Sequence, residues 1–372
     1  MLPVVRRGNP MRKNRWYPQT RYTSYLFLSV ILIANVFGFD DDPVGYMQFE
    51  IHFADVYAVQ DLPGQDSFLV STSRGLRIYN FNNGSSYRTV TNTRNISSMN
   101  FAVDAENSRI AVYDQSQSTV EIRDAVSFQL IGELIIPDKT IFDIAFGYNA
   151  GEIILSASDV RTFPDFQVIE NAHLVVYDLD TKIESMRFNN AGDLVDIISV
   201  SQNGKQIFLR NQLPGYDSYD FVVIDKDTGL RRNLREAWYI LPAYSQNTDI
   251  VALGVTLSLG ITDEFEYLVE VWDLQTETQI CSVPISPNPN RIPFTGLDRV
   301  SALALNSNGS MLAVGDDDGM VSIWDAYTCS LLSLFRVYYD KVEQLIFAHD
   351  DAILLSLNAD KSSQTIRAWL LE

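Results

Sequence analysis

An all-β, seven-bladed β-propeller of four-stranded antiparallel blades, its ring closed by an N-terminal strand completing the last blade, is the fold this sequence predicts. Three observations lead there. Trp272-Asp273 in "EVWDLQT" and Trp324-Asp325 in "SIWDAYT" lie 52 positions apart, each closing a β-rich run before a polar turn. A unit recurring at that length signals a repeat architecture. The body shows short alternating apolar runs split by Gly, Asn and Asp, with no long helical periodicity. The ends are complementary: "TIRAWLLE" stops after a third strand, and an extra strand-like run, Tyr46 to Ile51, precedes the first blade.

The clearest unit is "VSALALNSNGSMLAVGDDDGMVSIWDAYTCSLLSLF", Val300 to Phe335. It reads as four strands, with Asn308-Gly309 and Asp318-Gly319 supplying the positive φ angles of tight hairpins. The same frame fits the whole body. The Trp-Asp slot is filled in turn by Tyr79-Asn80, Arg123-Asp124, Tyr177-Asp178, Ile224-Asp225, Trp272-Asp273, Trp324-Asp325 and Arg367-Ala368. Intervals of 44, 54, 47, 48, 52 and 43 residues separate them, so seven blades are expected. Donating the first run to the last blade would remove exposed sheet edges.

The strand, turn and Trp-Asp positions of residues 300–335 resemble a WD40 repeat, and over residues 44–372 the chain resembles a seven-bladed WD40 propeller. There are departures. No Gly-His dipeptide occurs, and only two slots keep Trp-Asp. The resemblance implies a buried network of the Trp, the Asp and that histidine, which cannot be complete without the histidine.

Charge divides the chain. It carries a formal net charge of −19, yet residues 1–38 hold six basic residues and no acidic one. Residues 1–39 read as a basic leader followed by an apolar segment, Leu26 to Phe37, which is a signal peptide or a membrane anchor. Either would place residues 40–372 outside the cytoplasm, secreted, periplasmic or anchored by one N-terminal span. An acidic body repels phosphate backbones, so nucleic acid is not an expected partner. Membrane contact is expected only through the leader, if it is retained. Asn83, Asn95 and Asn308 begin glycosylation tripeptides.

Catalytic signatures are missing from the sequence: no GxSxG elbow, P-loop, HExxH or EF-hand loop is present. No cofactor and no metal is expected. Asp316-Asp317-Asp318 reads as a turn with an aspartate hydrogen-bonding its own backbone, and Asp40-Asp41-Asp42 as a solvated linker, rather than as calcium ligands. Asp225-Lys226-Asp227-Thr228-Gly229 followed by Trp238 has the form of a quinoprotein-type repeat, but also of a generic blade turn. Cys281 and Cys329 fall nine and five residues after the tryptophans of their Trp-Asp pairs; the spacing leaves pairing open without implying it, and free buried thiols are the expectation.

Loop parity carries the functional expectation. Strand alternation puts each blade-to-blade connection and each second-to-third-strand loop on one rim. The long connections share that parity: Asp159 to Gln167, Gln212 to Asp220, Leu257 to Glu266 and Pro284 to Asp298. They mix aromatic and acidic residues, a composition suited to contact surfaces. The expected function is a non-enzymatic scaffold for a protein or peptide, with a preference for basic segments. Phe163, Asp165, Phe166, Tyr216, Asp217, Tyr219, Phe265 and Phe294 are the expected contact residues, aromatics anchoring and carboxylates selecting. The alternatives are a quinone-dependent or hydrolytic enzyme using the central channel, or a sugar- or calcium-binding module. The innermost strands, with Ala302, Ala304, Ile144, Phe146, Ile197 and Ser199, carry few groups for channel chemistry.

Overall fold

The structure is a computed structural model and describes residues 46–91, 101–104, 108–114, 117–137, 139–147, 151–162, 167–189, 194–201, 203–212, 218–258, 265–285, 300–358 and 363–371. These residues form seven antiparallel sheets of four strands and no helix. In six blades the four strands pair in chain order. In the seventh, Val342–Ala348, Ile353–Asn358 and Gln364–Leu370 are completed by Tyr46–Phe53, with Glu50 opposite Arg367 and Phe53 opposite Gln364. The predicted seven blades and the closing strand are therefore present. The leader and apolar segment lie outside the described residues.

The apolar patterning accounts for the stacking. Second strands lie between neighbours on both faces: every residue of Ser67–Thr72 and of Ile353–Asn358 is buried. Outer strands are more open: Glu184–Asn189 alternates half-buried and exposed residues. The core is partitioned between adjacent blades. Leu69, Leu76 and Ile78 of blade one meet Ile110 and Val112 of blade two, and Phe49, Phe68 and Leu355 join blade one to blade seven.

Five of the seven slots carry an aspartate, and each of these has a local task. The Oδ1 atoms of Asp124, Asp178, Asp225, Asp273 and Asp325 accept backbone N–H groups of Val126 (3.2 Å), Thr181 (2.7 Å), Thr228 (2.8 Å), Gln275 (2.8 Å) and Thr328 (2.7 Å). Hydrogen bonds from the side chain and backbone of Ser127 to Asp124, of Thr181 to Asp178, of Thr228 to Asp225 and of Thr328 to Asp325 hold these four carboxyls below the usual range. Four residues after the slot, Phe128, Lys182, Gly229, Glu277 and Cys329 all take positive φ. The "DKDTG" stretch is thus one of a series of equivalent blade turns, and nothing in its geometry sets it apart.

Two expectations are corrected. The seventh slot is Trp369-Leu370, not Arg367-Ala368. Leu354 faces Trp369 as Leu312 faces Trp324 and Val251 faces Trp272. The strand runs two residues further because no turn residue interrupts it, and a shift of two preserves which side chains face inward. Trp369 Nε1 donates to Ser356 Oγ (3.1 Å), and the Tyr338 hydroxyl lies 3.0 Å from the same oxygen. Tyr338 is buried, and its hydroxyl also lies 2.7 Å from the Ser356 carbonyl and 2.9 Å from the Thr365 carbonyl. A tyrosine therefore joins the tryptophan network of blade seven in the absence of a histidine.

The cysteines are not free thiols: Cys281 and Cys329 form a disulfide, with Cα atoms 6.0 Å apart. Cys281 sits in the outer strand of blade five, Thr278–Pro284, and Cys329 in the left-handed position of blade six's last turn. Their unequal offsets, read along the sequence as mismatched, place them on adjoining blades at bonding distance. Both are half-buried.

Candidate functional site

The predicted long loops are shorter than expected where they are described. Asp159 to Thr162 pair with Gln167 to Glu170, extending blade three's hairpin as strand. Leu257 and Ser258 likewise pair with Glu266 and Phe265, and Gln212 pairs with Tyr219. β-branched and alternating residues in these stretches favour ladder over loop.

A cleft of about 500 Å³ opens on the rim that the parity argument singled out. Its blade-four wall is Tyr219, at the start of the third strand, Tyr219–Asp225. Trp238 and Tyr239 follow, where blade four passes into blade five. The Trp238 backbone N–H donates to the Thr256 carbonyl (3.0 Å), which fixes this connection against the second strand of blade five. Gly254, Thr256 and Tyr267 continue the wall. On the far side stand Val300 and Ser301 from blade six's innermost strand, Asp317 from its hairpin and Lys341 just before blade seven. Gly254 permits the close approach of blades five and six, since an added Cβ would lie 3.1 Å from Val300 Cγ1.

The aromatic groups are unevenly covered. Tyr267 is buried, whereas Trp238 is 50% exposed and Tyr239 40%. Tyr219 and Tyr239 meet edge to face, with centroids 5.8 Å apart and planes at 82°. The Arg210 guanidinium lies 5.4 Å from the Tyr219 centroid, and its Nη1 donates to the Ile240 carbonyl (3.1 Å). These contacts hold the wall in place before any ligand arrives. In the "DDD" run, Asp316 makes the turn, its Oδ1 accepting from Asp318 N–H (2.8 Å) and Met320 N–H (2.9 Å). Asp317 instead lines the cleft.

Of the predicted contact residues, Tyr219 lines the cleft. Phe265 lies on the ladder opposite Ser258, and Phe163, Asp165, Phe166, Tyr216, Asp217 and Phe294 lie outside the described residues. Sequence reasoning missed Trp238, Tyr239 and Tyr267. The first two carry a sequence signal, because the blade-four-to-five connection has the same parity and holds two adjacent aromatic residues. Among the described residues, no group of three His, Cys, Asp or Glu is placed to hold a metal ion.

Comparisons with known proteins agree with the architecture. A family model described as "WD domain, G-beta repeat" matches residues 293–325. Protein ROOT INITIATION DEFECTIVE 3 of Arabidopsis thaliana is 30% identical over 95 residues, covering 26% of this chain and 18% of that protein. WD repeat-containing protein 90 of Mus musculus is 38% identical over 78 residues, covering 20% of this chain and 4% of that protein. The chain thus spans under a fifth of the length of either relative. WD-repeat propellers typically act as protein-interaction scaffolds. With its seven closed four-stranded blades this chain is a β-propeller, and its repeat at residues 293–325 is similar to a WD40 repeat.

Proposed function

We propose that this propeller is an extracytoplasmic, non-enzymatic scaffold that captures a protein or peptide through one sector of one rim, spanning blades four to six. The observation that carries the reading is the cleft bounded by half-exposed Trp238 and Tyr239. Large aromatic side chains left uncovered at a concave, preformed site are the usual anchors of a partner. Phe163, Asp165, Phe166, Tyr216, Asp217, Phe265 and Phe294 belong to the same parity and are proposed to extend the contact surface. The Cys281–Cys329 disulfide supports the location, since such bonds persist in oxidising compartments.

The test is a display panel of random peptides presented to the full chain. Peptides whose capture is lost in Trp238→Ala and in Tyr219→Ala, but retained in Tyr57→Ala on blade one, support the reading. Capture indifferent to all three substitutions, with Tm unchanged, sinks it.

A further inference from the structure

We propose that the cleft is a subsite for one neutral saccharide ring, a hexose or an N-acetylhexosamine, presented by the partner; this rests on the rim-binding reading above. The aromatic wall is the first support. A pyranose has a face of C–H groups and an edge of hydroxyls, and the C–H face packs on a flat aromatic side chain by dispersion and burial of apolar surface. Trp238 is 50% exposed and Tyr239 40%, so both offer ring surface to a visitor. Tyr219 behind them is already engaged: the Arg210 guanidinium lies 5.4 Å from its centroid, and Tyr239 meets it at 82°. The platform is therefore held before binding, and little side-chain freedom is lost when a flat ligand settles on it.

Charge balance is the second support. Among the described residues, the lining holds one carboxylate, Asp317, and one ammonium, Lys341, whose Nζ lies 3.2 Å from Glu343 Oε2. A lining so balanced does not select a charged visitor of either sign. Sugar hydroxyls both donate and accept, so one uncharged ligand serves a carboxylate and an ammonium together. An ionised carboxylate has about four acceptor sites and an ammonium several donors. The contacts that these two groups already make therefore leave capacity for a hydroxyl. An apolar visitor would instead strip water from Asp317 and Lys341 without replacing it. Size is the third support: about 500 Å³ admits a short oligosaccharide and no folded domain.

The test titrates the full chain by calorimetry with cellotetraose, mannotetraose, galactotetraose and chitotetraose, all uncharged. The controls are tetragalacturonate, the cationic tetramer of glucosamine, and N-acetyl-tetraalanine amide. At least one neutral sugar is expected to bind about tenfold or more tightly than all three controls, with an affinity that salt leaves unchanged. Trp238→Ala and Asp317→Ala should each weaken that sugar about tenfold with Tm unchanged, and Trp238→Phe, which keeps a ring, should weaken it less. Should Trp238→Ala unfold, Asp317→Ala and the control ligands decide the matter alone. No binding of any neutral sugar, tighter binding of a control, or indifference to Asp317→Ala would each overturn the saccharide subsite. Retention on insoluble cellulose, mannan or chitin, against retention on a glycoprotein before and after enzymatic removal of its glycans, distinguishes the two sources of the ring; either retention supports the subsite. The peptide panel separates the two proposals. Peptides captured through Trp238 that the preferred sugar does not displace refute this proposal only. The absence of both sugar binding and any Trp238-dependent peptide refutes the rim reading as well.

Discussion

Gln344 and Val59, 285 residues apart, clasp the ring shut. The Gln344 amide donates to the Val59 carbonyl (2.9 Å), and its Oε1 accepts the Val59 N–H (2.9 Å). Val59 belongs to the innermost strand of blade one, Ala58–Asp61, which has a ladder partner on one side only. Without Gln344, both backbone groups of a nearly buried residue would lose their partners.

Replacing Gln344 with Leu, which fills similar space without an amide, should therefore destabilise the protein by about 1–3 kcal/mol. Thermal unfolding measures this. A Tm equal to that of the parent would show that the clasp contributes nothing.

The disulfide makes a second prediction. Cys281 and Cys329 are 48 positions apart, and cross-links closing loops of that size stabilise by about 2–4 kcal/mol. The double variant Cys281→Ser, Cys329→Ser should melt lower by that amount, and a thiol reductant should lower the parent's Tm while leaving the variant's unchanged. A reductant effect that persists in the variant would contradict the assignment.

Asp61 gives a pH dependence. Burial pushes its carboxyl up to about 7, with the charges of Asp350 and Asp351 adding to the effect. Below the unfolded value of 3.8, folded and unfolded chains are both protonated at this group. Between 3.8 and about 7 the unfolded chain gives up its proton and the folded chain keeps it, so stability falls as pH rises. Asp61→Asn removes this loss. Its advantage over the parent should be near zero at pH 4 and reach about 1–3 kcal/mol at pH 8. Denaturant titrations at the two pH values check the sign, and an advantage confined to pH 4 would refute it.

Tyr338 offers a fourth. Its hydroxyl serves Ser356 and Thr365 and completes the Trp369 contact. Tyr338→Phe keeps the ring and takes one hydrogen-bonding hydroxyl away from the Ser356 and Thr365 carbonyls and from Ser356 Oγ, at a cost of about 1–3 kcal/mol. Trp369→Phe should be partly non-additive with it, because both act through Ser356. Strict additivity in the double variant would argue against a shared network.

Much of this fold was legible from the sequence because it is written locally. An aspartate that must cap its own turn appears at nearly fixed offsets, and buried strands announce themselves as apolar runs. The closing strand was legible as well, since Gln364–Leu370 needs an outer partner and Tyr46–Phe53 has none in blade one. The seventh slot was misplaced by two because alternation constrains face, and a shift of two leaves the face unchanged.

What only the tertiary structure decided were relationships between blades. Cys281 and Cys329 look mismatched along the chain and meet because blades five and six pack side by side. Tyr338 takes part in the tryptophan network through its position in space, at a point where no motif predicted it. The cleft gathers Tyr219, Trp238, Tyr267, Asp317 and Lys341 from blades four to six and the connection into blade seven, a set no local pattern connects. The sequence by itself determined how many blades form and where the aspartate-capped turns fall, because hydrogen bonding and burial within a blade depend on near neighbours. The depth of the cleft and the identity of its walls follow from how rigid blades pack around the ring, and that is settled only when the ring closes.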